Sequence, residues 1–195
     1  MLCLGAKHME FLQQYLTDLG GAVASVDLKK IATAIEWLRK AREDERTIFV
    51  AGNGGSAATA SHFVCDMVKG ASYGRNSRFR IMSLGEIPTL TAYSNDVGYD
   101  IVFVEPLKNF ARASDVFIAI SGSGNSPNVV KATEYANSVG CRTISMTGRD
   151  GGRLAQLAQL DLHVASPHMG RIEDVHMILC HMISYYFMER CQTPD

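Results

Sequence analysis

The chain has 195 residues, 47% hydrophobic and 20% charged, with 19 Lys and Arg against 20 Asp and Glu. That size and balance fit one globular α/β domain with room for an added helical piece. They offer no basic block for gripping nucleic acid, and no apolar run near the roughly 20 residues of a membrane span.

From about residue 8 to residue 44 the chain reads as helix, with Phe11, Leu12, Tyr15, Leu16, Leu19, Val23, Val26, Ile31, Ala34, Ile35 and Leu38 at helical spacing. Gly20-Gly21 is expected to break this stretch into two helices. The pair, residues 1–45, precedes the sheet rather than alternating with it. It can pack on the domain or on a second copy of the chain; the second is the favoured expectation and makes a homo-oligomer. Strands are expected at Thr47–Ala51, Phe79–Ser83, Val116–Ser121, Arg142–Thr147 and Leu160–Val164. Helices are expected at Ala57–Lys69, Ile87–Tyr93, Glu105–Phe110, Pro127–Val139, Gly152–Ala158 and from Ile172 to about Arg190. The last is apolar around more than one face, through Val175, Ile178, Leu179, Ile183 and Phe187. Strands spaced by helices predict a three-layer αβα fold, residues 46–195, on a five-stranded, mostly parallel sheet. Ligands of such sheets bind beyond the carboxyl ends of the strands.

Two loops fall at those ends. The first is Gly52-Asn-Gly-Gly-Ser56, after the apolar run Thr47–Ala51. Its glycines permit positive φ and close approach to a ligand, and Asn53 and Ser56 bring hydrogen-bonding side chains. Free N–H groups at the start of the next helix suit a phosphate or a polyol. His62 and Asp66 follow on that helix, four apart and so on one face. The second loop, Ser121-Gly-Ser-Gly-Asn-Ser126, precedes Pro127, a favoured first helical residue, which makes Ser126 a natural N-cap. Three hydroxyls, two glycines and an asparagine exceed what a cap requires, and they can hold phosphate without a lysine. Neither loop has the P-loop lysine or the acid of a dinucleotide fold. A phosphosugar is the economical ligand.

Gly52-Asn-Gly-Gly-Ser56, Asn95-Asp96 with Gly98, the serine loop and Arg171-Ile-Glu-Asp-Val-His176 resemble the sugar isomerase (SIS) domain family, and within it the phosphoheptose isomerase branch. The likeness runs over nearly the whole chain. It implies a cytoplasmic homotetramer that isomerises D-sedoheptulose 7-phosphate to D-glycero-D-manno-heptose 7-phosphate, for heptose synthesis. It also implies the roles of particular residues. Ser121, Gly122, Ser123 and Ser126 would hold the phosphate. Asn53, Gly54, Gly55, Ser56, Asn95, Asp96 and Glu173 would meet the sugar. Asp66 would be the general base and His181 its acid partner. Zinc would sit on His62, Asp66, Glu173 and His181. An enediol isomerisation needs a base near the α-proton and an acid at the carbonyl oxygen, so these residue types suit it.

The chain departs from the family at three of these places. Asp66 stands where the family has Glu, Glu173 where it has Gln, and Gly170 where an Asp is common. Two further readings therefore stay open: a non-catalytic SIS protein that binds a phosphosugar or a partner, as DnaA-binding initiator-associating members do, and an isomerase of another ketose phosphate. Spacing alone pairs Glu173 with His176, three residues on. The resemblance pairs it with His181, eight residues and about 12 Å along a helix. His176 is thus a candidate for a second site. His8, His163 and His168 read as surface or loop histidines, and Cys65 and Cys180 as buried small hydrophobes. The 5 cysteines form no Cys-x-x-Cys pair. With no signal-peptide core at the N-terminus, they predict a reduced, cytoplasmic protein.

Overall fold

Two helices lead the chain, α1 (Leu2–Ala24) and α2 (Leu28–Glu43). The structure, a computed structural model, describes residues 2–191, with side chains from residue 7 onward. Expectations about earlier side chains, Cys3 among them, lie outside the described residues. Gly20-Gly21 does not break α1, contrary to the sequence expectation; the helix runs on to Ala24. A helical glycine costs about 1 kcal/mol relative to alanine, too little to stop a helix already growing on both sides. The break comes at Ser25–Asp27, where Asp27 caps α2 by accepting from the N–H groups of Lys29 and Lys30.

The remaining elements are β1 (Thr47–Gly52), α3 (Gly55–Cys65), β2 (Arg80–Ser83), α4 (Ile87–Asp96), α5 (Val104–Phe110), β3 (Val116–Ser121), α6 (Pro127–Ser138), β4 (Arg142–Thr147), α7 (Gly152–Leu157), β5 (Leu160–His163) and α8 (Met169–Glu189). The five strands form one sheet in the order β2-β1-β3-β4-β5, and every pairing is parallel. Side chains of a strand alternate between faces, so each central strand feeds two cores. Ile48, Val50, Ile118 and Ile120 join one core, with Phe63 of α3 and Ile172, Val175 and Leu179 of α8. Phe49, Ala51, Phe117 and Ala119 join the other, with Leu107 of α5, Val129 of α6 and Leu154 of α7.

Ile31, Ala34, Leu38 and Ala41 of α2 are buried in the first of these cores. The apolar face of α2 is therefore spent within the chain, the arrangement on the domain that the sequence left open. α1 is held more loosely, against α8. Tyr15 donates to Asp174 Oδ2 at 2.6 Å, and Arg171 pairs with Asp18 at 2.7 Å.

This strand order reverses between β1 and β3, whose connections leave in opposite directions along the sheet. A crevice opens at such a switch point, beyond the carboxyl ends of the two strands. The glycine loop leaves β1 there and the serine loop leaves β3.

Candidate active site

Gly52 ends β1 where backbones crowd: a Cβ on it would lie 2.9 Å from the carbonyl oxygen of Ile120 and 2.7 Å from Ser56 Cβ. Gly54 has φ 55°, a conformation side chains resist, and it lets the chain turn directly into α3. Asn53, between them, is fixed. Its Nδ2 donates to Asn128 Oδ1 at 2.9 Å, Asn128 Nδ2 returns the bond to Asn53 Oδ1 at 2.9 Å, and Tyr99 donates to the same oxygen at 2.8 Å. Asn128 opens the first turn of α6, so the two loops are tied to each other. Neither Asn128 nor Tyr99 was singled out in the sequence; an amide just inside a helix start gives no signal of its own.

Ser126 occupies the N-cap position of α6 as expected, yet its side chain makes no capping bond. Its hydroxyl stands 3.3 Å from that of Ser121, which is 3.4 Å from that of Ser123. Three hydroxyls thus converge above the start of α6, whose positive end suits an oxyanion such as phosphate, while the Val129 N–H is taken by Asn128 Oδ1 at 2.9 Å.

The two loops wall one cleft of about 270 Å³, lined by Asn53, Gly54, Gly55, Ser56, Ile120, Ser121, Gly122, Ser123, Ser126, Met169 and Glu173. The last two come from the first turns of α8, where each residue of the Arg171–Asp174 stretch has its own task. Arg171 and Asp174 turn outward to α1. Ile172 packs under Gly148, whose Cβ would lie 2.4 Å from it. Glu173 turns into the cleft, its Oε1 lying 2.6 Å from where a Cβ on Gly55 would stand.

Beyond the first turns of α3, His62, Asp66 and His181 form a group whose ligand atoms lie within 4.8 Å of one another. The two Nε2 atoms are 3.0 Å apart, and Asp66 Oδ2 lies 3.5 Å from that of His62 and 3.9 Å from that of His181. Donors about 2.0–2.1 Å from a tetrahedral zinc stand roughly 3.4 Å apart, so these three separations bracket the edge of such a site. The donor set and geometry fit a divalent metal. Ser184 donates to Asp66 Oδ2 at 3.1 Å and orients the carboxylate. At Asp66 the helix widens into a π turn, Asp66–Gly70, closed by the Ala71 N–H on the Asp66 carbonyl. Glu173 is not in this group.

The remaining candidates lie outside this group. His176 is fully buried, and its Nε2 donates to the Thr147 carbonyl at 3.1 Å. Among the described residues its Nδ1 has no partner, and burial lowers its pKa to about 4. It is a neutral core residue rather than part of a second site. Asn95 and Asp96 bond to each other at 2.8 Å on the exposed end of α4 and do not line the cleft. His168 caps α8, its Nδ1 accepting from the Arg171 N–H at 3.4 Å. His163 Nδ1 lies 3.0 Å from the Thr147 hydroxyl. Cys180 is buried, its thiol pushed up by desolvation, whereas Cys65 is exposed rather than buried.

A doubly wound α/β fold with a polar, hydroxyl-rich cleft at its switch point defines a small-ligand α/β protein of the phosphate-binding kind. Residues 12–148 match the SIS domain family, and the chain belongs to that family. It is 40% identical over 153 residues to the phosphoheptose isomerase of Citrifermentans bemidjiense, spanning 78% of this chain and 80% of that protein. It is 37% identical over 180 residues to the probable phosphoheptose isomerase of Thermoplasma volcanium, spanning 90% and 92%. The solved structure of phosphoheptose isomerase from Neisseria gonorrhoeae matches with a TM-score of 0.84 at 30% identity, over 92% of this chain and 97% of that one.

Proposed function

We propose that this isomerase converts D-sedoheptulose 7-phosphate to D-glycero-D-manno-heptose 7-phosphate through an enediol. The isomerase class rests on the relatives, which carry that name at 40% and 37% identity. The particular substrate, product and course are the proposal. The observation that carries it is the serine loop: Ser126 makes no side-chain capping bond and joins Ser121 and Ser123 in one hydroxyl cluster, in the same cleft as a carboxylate.

In this reading the three serines and the start of α6 bind the phosphate. Asn53, held by Asn128 and Tyr99, presents its loop and the N–H groups of Gly54 to Ser56 to the sugar hydroxyls. Asp66 takes the proton next to the carbonyl, and His181, its Nε2 3.9 Å from Asp66 Oδ2, is the acid partner. His62, Asp66 and His181 would hold a zinc ion, leaving its fourth position open; such an ion supplies polarisation of a carbonyl oxygen. Among the described residues no helix is long and apolar enough to cross a membrane.

The test is a coupled turnover assay on ketose phosphates of five to seven carbons, with chelator and with added zinc. The seven-carbon substrate is expected to turn over, to stop with chelator and to recover with zinc. Binding of these sugars with no turnover of any would make the chain a phosphosugar-binding protein and overturn the proposal.

A further inference from the structure

A second cavity adjoins the serine loop. It holds about 620 Å³ against about 270 Å³ for the cleft, and Ser123, Asn125, Arg149, Asp150 and Ser166 stand on its walls. Ser123 lines both spaces, so cavity and cleft meet at the serine loop.

The walls are fastened to one another. The Arg153 N–H donates to Asn125 Oδ1 at 3.0 Å and the Leu154 N–H to the Gly124 carbonyl at 3.0 Å, which ties the serine loop to the start of α7. A Cβ on Gly124 would run into the Gly151 carbonyl. The Arg149 N–H donates to the Ser166 carbonyl at 3.0 Å and ties the loop after β4 to the segment after β5. Arg149 holds φ 52° there, uncommon for a residue with a side chain. A space fixed in this way is preorganised, so a ligand entering it has little to order.

Its free groups are mostly donors. The Arg149 side chain is exposed and has no ion pair or hydrogen bond with another described residue, which leaves its planar fork open. Ser166 is only 7% exposed; its Oγ accepts the His168 N–H at 3.2 Å, and its own proton finds no acceptor among the described residues. Asp150 is the one acid among the lining residues. Its Oδ1 accepts the Gly152 N–H at 3.1 Å, and it does not pair with Arg149. A single phosphate on the serine loop would leave Arg149 and Ser166 unused.

We propose that this cavity takes the second phosphate of a diphosphate whose first phosphate rests on Ser121, Ser123 and Ser126. The proposal rests on the reading of the serine loop as the phosphate site. Arg149 meets the outer phosphate with its fork and Ser166 donates to it. The remaining volume admits a group esterified to that phosphate, with Asp150 placed to accept from its hydroxyls. Because the first phosphate occupies the serine loop, such a ligand excludes the sugar phosphate and acts as a competitive inhibitor.

The experiment is calorimetric titration with inorganic phosphate, inorganic pyrophosphate and ADP, each with chelator and again with added zinc, so that a metal bridge is told from the cavity. Pyrophosphate is expected to bind at least about tenfold more tightly than phosphate in both conditions, through the added charge-assisted hydrogen bonds. Arg149→Gln is expected to abolish that advantage while phosphate affinity and turnover of ketose phosphates stay those of the wild type. Arg149→Lys keeps the charge but not the fork and is expected to fall between the two. Ser126→Ala is expected to weaken all three ligands together. ADP that binds as tightly as pyrophosphate assigns the site to a diphosphate ester, and ADP that binds no better than phosphate assigns it to the inorganic ion. Pyrophosphate that binds no more tightly than phosphate, or does so only with zinc, overturns the proposal. So does an Arg149→Gln protein that keeps the wild-type advantage. A wild type that binds neither phosphate nor pyrophosphate overturns the phosphate reading of the serine loop as well, a pattern distinct from phosphate bound and the second group ignored.

Discussion

A serine at the head of a helix ordinarily gives its hydroxyl to the free N–H groups behind it, and the departure of Ser126 from that habit is what marks its loop as built for something else. His176 makes the opposite point. Its spacing from Glu173 suggested a shared site, yet the ring is sealed among the side chains of the core and bonded to the Thr147 carbonyl. Desolvation is the largest cause of its lowered pKa, about 4 in the folded chain against 6.5 ordinarily. The unfolded chain therefore binds a proton at mildly acid pH that the folded chain refuses. Stability tied to His176 is complete above pH 6.5 and is lost as pH falls toward 4, by about 3 kcal/mol at most. Glutamine can donate toward Thr147 without titrating. His176→Gln should thus lose less stability between pH 7 and pH 5 than the wild type, measured by urea midpoints at each pH. Parallel losses in the two proteins would show that another group sets the acid limb.

At the scale of elements, strands were legible nearly to the residue. Val116–Ser121 and Arg142–Thr147 emerge as expected because the first is a short apolar run and the second sets Ile144 and Met146 two apart, each closed by a glycine. The two ligand loops were legible for the same reason: their composition is wasteful unless something binds. What sequence could not display was contact between distant elements. His62 and Asp66 share a face by spacing, but the approach of His181 from α8 came through resemblance alone. The π turn at Asp66 and the lock of Asn128 on Asn53 had no local signature. Spacing told which residues of α8 share a face but not which neighbour covers it, so His176 was misjudged. Gly20-Gly21 misled for an energetic reason, since a penalty of about 1 kcal/mol per glycine weakens a helix without ending it. That error yields a prediction. A Cβ on either glycine meets nothing within 4 Å, and neither φ is positive. Gly20→Ala and Gly21→Ala should each stabilise the chain by about 0.5–1 kcal/mol, read as a higher thermal midpoint. A fall in the midpoint would mean that α1 needs to bend there.

For the molecule as a whole, the question is what covers α1. One stripe of that helix, Tyr15, Asp18 and Ala22, turns to the domain: Tyr15 and Asp18 reach α8, and Ala22 is buried in the core. A second stripe, Met9, Leu12, Leu16 and Val23, follows the three-and-four spacing of a helix seam and remains in solvent, with Leu16 67% exposed. Phe11 beside it is 62% exposed. Single exposed apolar residues are ordinary, but a contiguous stripe of this kind marks a surface meant to be covered. Because α2 already spends its apolar face within the chain, the exposed stripe of α1 is where self-association is expected. We expect the chain to assemble through this stripe, as a homotetramer on the resemblance, with mass read by light scattering behind size exclusion. Leu16→Glu places a charge in the seam without touching the core, so it should shift the protein to a smaller species while the circular dichroism spectrum stays that of the wild type. A wild type that runs as a monomer at micromolar concentration, or a Leu16→Glu protein with unchanged mass, would remove α1 from the assembly.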